Sequence, residues 1–206
     1  MTDPLNAKLL QFVTDIEKIS QINRNLHQVV SYKPKSGRPP ELFIFKVANW
    51  IAVPILGPFY LVASTWLKCL KVTLLEDKQE LFAVTFPQYG LPSFTYNVPL
   101  TDEALKEVEI LSPFITVLSS GISNSDWFFL SVETDYFIMI GLSEFINDFF
   151  ENKVEEKFLQ FHTSVLNNGR ENDSSSQSYH PYFSFLYDQL RKYNNAEVGT
   201  EFRLDF

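Results

Sequence analysis

The chain has 206 residues, with 17 Lys and Arg against 25 Asp and Glu, for a net charge of −8. That length suits one domain with a substantial core plus appendages, and the acidic balance disfavours nonspecific nucleic-acid binding, which needs a basic surface. One cysteine, Cys69, excludes an internal disulfide framework, and 20 Phe point to an aromatic-packed core.

Charge is unevenly spread. Residues 1–78 carry 10 Lys/Arg and 6 Asp/Glu, a surplus of +4, while residues 79–206 carry 7 and 19, or −12. The opening Met1-Thr2-Asp3-Pro4 lacks the basic patch and apolar run of a signal peptide, so a cytoplasmic address is expected.

In chain order, residues 1–31 read as an amphipathic helix. Leu9, Ile16, Asn23 and Val30 fall on heptad a positions, and Leu5, Phe12, Ile19 and Leu26 on d positions. A lone Asn at a specifies register and oligomer state, and Ile16 and Val30 at a with Leu5 and Leu26 at d favour a parallel pair. The e and g positions lack complementary charges, however, and Val13, Ile22 and Val29 widen the apolar stripe, which suits a helix packed on its own domain. The candidate contact seam is Leu9, Phe12, Ile16, Ile19, Asn23 and Leu26, serving a protein partner or a homodimer.

Residues 32–41 form a basic, Pro-rich linker with no apolar periodicity. A core of residues 42–166 follows, opening on a strand from about 42 to 53. Val47 to Leu67 carries no charge over 21 residues and has Trp50 and Trp66 near its ends. A membrane span needs about 20 apolar residues, but Pro54, Gly57 and Pro58 interrupt a helix at its middle. The preferred expectation is two buried elements joined by a turn, with a membrane hairpin or span through Val47–Leu67 as the alternative.

A hairpin is expected with arms 72–75 and 81–86, then a half-buried strand at Phe94–Val98. Thr101 should cap a helix whose first turn, Asp102 and Glu103, is acidic, ending before Pro113. A second hairpin pairs Trp127–Val132 with Tyr136–Ile140. A long helix capped by Ser143 should then run to Gly169 with one apolar face from Ile146 to Val165. Residues 167–181 read as a polar loop, and 182–206 as a last helix plus a short strand. The segment FAVTFPQYGLPSFTYNVP resembles the strand and aromatic-proline turn of RWD and ubiquitin-conjugating-like domains over about 40 residues. No cysteine stands in a conjugating position there, and the assignment is not adopted.

The inventory for chemistry is thin. His27, His162 and His180 are scattered, one cysteine and three histidines make no zinc spacing, and no GxSxG, GxGxxG or GxxxxGK[ST] occurs. No cofactor, metal or catalytic group is expected. Ser119–Asp126 is the polar cluster where a nucleophile or anion site would lie. The chain is thus expected to be an α+β protein, mostly antiparallel sheet packed by helices, with an N-terminal amphipathic coiled-coil-type helix. Its expected role is non-enzymatic: protein–protein interaction, as an adaptor or subunit. A membrane-associated protein, or a small-molecule-binding or hydrolytic protein with a site near 119–126, are the alternatives.

Overall fold

Asn49 takes a left-handed φ of 62°, a conformation an Asn tolerates, and so divides the strand expected over 42–53 in two. The computed structural model describes residues 5–35, 38–56, 80–87, 90–111, 115–120, 126–131, 136–168 and 176–204. In chain order these form β1 (Gln11–Phe12), α1 (Ile16–Leu26), β2 (Val30–Lys35), β3 (Arg38–Phe45), β4 (Trp50–Leu56), β5 (Leu81–Thr85) and β6 (Thr95–Val98). There follow α2 (Asp102–Glu107) with a 3-10 turn to Leu111, β7 (Thr116–Ser120), β8 (Trp127–Ser131), β9 (Tyr136–Leu142), α3 (Ser143–Phe149), α4 (Val154–Asn168), α5 (Ser176–Asn194) and β10 (Glu201–Leu204).

The protein is α+β. Seven antiparallel strands run β1-β6-β5-β7-β8-β9-β4, and three more run β10-β3-β2. Both faces of the large sheet are covered, which is why β8 and β9 read as nearly unbroken apolar runs. Trp127 and Phe129 meet Phe145 and Phe149 of α3 on one face. On the other, Tyr136 meets Phe161 of α4 and Phe183 of α5 edge-on. Gly141 sits in β9 opposite Trp127, where a Cβ would come 2.5 Å from the Asp126 carbonyl oxygen.

Several expectations change here. The 32–41 stretch, read as a hinge, supplies most of the β2–β3 hairpin, with Tyr32 paired to Leu42 and Lys33 to Glu41. Lys33 and Lys35 stay outside, and the Glu41 carboxylate bridges Lys35 at 2.7 Å and Arg203 at 2.8 Å. The long helix is two, α3 and α4, because Glu151 and Asn152 both have positive φ. Its expected cap, Ser143, is the first helical residue, and no side chain caps α3. Thr101 does cap α2, its hydroxyl accepting the Ala104 amide at 3.1 Å. Cys69 and half of the uncharged window lie outside the described residues. The other half, Val47 to Leu56, is a turn and β4. Among the described residues no helix is long and apolar enough to cross a membrane.

Among the described residues β4 ends the large sheet, and its outer edge is closed by α5. The Asn194 side-chain oxygen accepts the Ala52 amide at 2.7 Å, and its amide nitrogen donates to the Ala52 carbonyl at 3.1 Å. One side chain thus stands in for a neighbouring strand. Two residues on, Pro54 has the same outward phase and no N–H to satisfy. Lys46 lies beside this joint. It is buried, donates to the Trp50 and Asn194 carbonyls, and stands 4.9 Å from the centre of the Tyr193 ring. Burial pushes the Lys46 ammonium below its ordinary pKa.

Candidate partner-binding cleft

Asp15 decides where α1 begins. Its carboxylate accepts the amides of Glu17 at 2.9 Å and Lys18 at 3.1 Å, filling the N-cap role. From Leu5 to Thr14 the backbone is not helical, because other acceptors take its amides. The Glu107 carboxylate, at the end of α2, accepts the N–H groups of Lys8, Leu9 and Leu10 at 2.8, 2.5 and 2.8 Å. Partial burial pushes that carboxyl up, yet the three amides outweigh it and hold the group below its ordinary value. Next, Gln11 and Phe12 pair with Asn97 and Tyr96, and the Val13 amide donates to Thr95.

A continuous heptad helix through residues 5–30 is therefore corrected to an 11-residue α1 preceded by a strap. The six seam residues separate accordingly. Leu26 is buried with Ile22, facing the body of the protein. Leu9 is exposed on the strap. Phe12, Ile16, Ile19 and Asn23 come together, with Pro92 and Phe94, around an open cleft of about 420 Å³. Ile16 is 80% exposed, the most exposed large apolar side chain among the described residues. Leu91, next to Pro92 in sequence, is exposed as well.

Among the described residues no charged side chain lines this cleft; the polar lining is Thr14, Asn23, Ser93 and Thr95. The Ser93 hydroxyl is committed to the Thr85 carbonyl at 2.6 Å. Nearby, Lys18 bridges Glu80 at 2.7 Å, and Glu80 also accepts from the Asn97 amide at 2.7 Å. The cleft can therefore take apolar groups with little penalty for stripping water from charge.

Among the described residues the other sequence-named groups do not gather. Ser119 and Ser120 are buried in β7, a strand that the polar spacing hid, and residues 121–125 lie outside the described set. The rings of His27 and His162 rest near Tyr32 and Tyr187, on different elements. Among the described residues no three His, Cys, Asp or Glu converge as a metal site. Sequence reading found one wall of the cleft, on α1, and missed the other at Pro92–Thr95. It also missed Glu107, whose bonds reach back almost a hundred residues and leave no local signal. The chain matches no family model, no curated protein and no solved structure.

Proposed function

We propose that this protein is a non-enzymatic interaction subunit that receives an apolar, uncharged part of a partner polypeptide in the cleft beside α1. One observation carries the reading: Ile16 stands 80% exposed at an apolar cleft that no charged side chain lines among the described residues. A soluble surface gains nothing from such an arrangement, and exposed apolar patches mark contact sites. The cleft's size suits two or three inserted side chains, the anchor-in-pocket pattern that dominates binding energy at interfaces.

The test is selection of random displayed peptides on the wild-type protein, with counter-selection on an Ile16→Asp, Ile19→Asp variant. The expected result is a shared apolar consensus that binds wild type with a Kd of roughly 10 µM or tighter and loses that affinity on the variant. Peptides that bind both proteins equally, or no enrichment, would overturn the reading.

A further inference from the structure

The exposed face of α1 holds a knob and a hole together. Ile16 projects, while the cleft at Ile19, Asn23 and Phe94 is open. A patch with both features fits a second copy of itself around a two-fold axis, each knob entering the other's hole. Charge fixes the direction. Glu17 in the first turn and Arg24 in the last are exposed and seven residues apart, so they lie on one side of α1. Among the described residues neither has an ion partner, whereas Lys18 next to Glu17 is bridged to Glu80. In a parallel pair Glu17 would face Glu17 and Arg24 would face Arg24. In an antiparallel pair each Glu17 faces the other copy's Arg24, twice. The axis would cross between Ser20 and Gln21, both exposed, at the midpoint of the two charges.

Building on the partner-binding reading of the cleft, we propose that its occupant is a second copy of this chain, docked through antiparallel α1 helices with each Ile16 in the other's cleft. An 11-residue helix is only about 16 Å long, so the contact falls at the small end of specific interfaces and the dimer forms at roughly micromolar to tens of micromolar concentration.

The experiment is light-scattering mass and sedimentation of the full chain from about 1 to 500 µM. Wild type should move from the 23.9 kDa monomer toward twice that mass. Glu17→Arg and Arg24→Glu should each weaken the dimer about tenfold, since two attractive exposed pairs become two repulsive ones. The double variant should restore it, because the pairs re-form with signs exchanged. Both positions are exposed, and circular dichroism of each variant checks that α1 persists. A monomer at every concentration, a dimer indifferent to Glu17→Arg, or a double variant as weak as either single would overturn the proposal. A monomeric protein that still selects apolar peptides loses the dimer but keeps the partner-binding role.

Discussion

Replacing Asn194 with Ala should open the β4 edge. Ala52 is fully buried, and both its outward backbone groups depend on the Asn194 side chain. A buried donor or acceptor left unpaired costs about 1–3 kcal/mol. Asn194 itself is only partly buried, so some water can enter the gap. The loss should therefore be about 2–4 kcal/mol in all. In a chain of this size that is about 5–15 °C in Tm, and a large part of a typical total stability. Urea denaturation should show a lower midpoint with an unchanged slope, and the Ala52 amide should exchange its hydrogen faster. Asn195→Ala provides the control, since Asn195 donates to the Arg191 carbonyl at an exposed site and should cost no more than about 0.5 kcal/mol. If Asn194→Ala proves as mild as Asn195→Ala, the side chain is not closing the edge and the reasoning fails.

Glu107→Ala should leave the amides of Lys8, Leu9 and Leu10 without their acceptor, so exchange at those three should rise while β8 and β9 stay protected. Because the folded-state pKa of Glu107 is lowered, its contribution is present above the ordinary carboxylate range and is lost as pH falls through the folded value. A matching acid-side loss of protection at residues 8–10 is expected, and its persistence in Glu107→Ala would refute the assignment. At alkaline pH two neighbours act in opposite senses. The native state binds fewer protons than the unfolded chain at Lys46, so stability rises with pH between its lowered folded pKa and the ordinary lysine value. Burial pushes the Tyr193 phenol up to about 12, against the pull of the Val47 amide, so stability falls between its ordinary value of 10.0 and about 12. Lys46→Met should remove the rise and Tyr193→Phe the fall in pH-dependent urea titrations; unchanged curves would contradict both. Gly141→Ala would drive a Cβ to 2.8 Å from the Trp127 Cα and should cost at least about 2 kcal/mol, with a change in Trp fluorescence; a wild-type denaturation midpoint would show that the β8–β9 approach can relax.

Local signals in the sequence were strong where one residue decides. Thr101 with Asp102 and Glu103 marks the start of α2, and the apolar runs at Trp127 and Tyr136 mark β8 and β9. The signals fail where a distant group overrides them. The heptad from Leu5 to Val30 continues unbroken on paper, but Glu107 and β6 claim the backbone of its first half. Apolar periodicity also runs through Glu151 and Asn152, because a left-handed pair shifts the helix axis without disturbing the pattern on either side. Prolines at 34, 39 and 40 suggested a hinge, yet among the described residues β2–β3 has only β10 as a further neighbour, so few ladder bonds are lost to them. Within the cleft, the α1 wall is readable from Ile16, Ile19 and Asn23. The Pro92–Thr95 wall is not, because its position follows from the pairing of β6 with both β1 and β5.

The strand order imposes a timetable on synthesis. Among the described residues β4 pairs only with β9, with Ala52 opposite Ile140, and β3 gains its second neighbour only when β10 arrives, with Phe43 opposite Arg203. At ordinary ribosomal rates β4 waits roughly 5–15 seconds for its partner. During that interval an apolar strand has neither its ladder nor the Asn194 plug. Such non-local pairing slows folding and leaves the nascent chain open to off-pathway strand association. Pro54 within β4 then has a second use, because a strand that cannot donate at its centre makes a poor template for a neighbouring nascent chain.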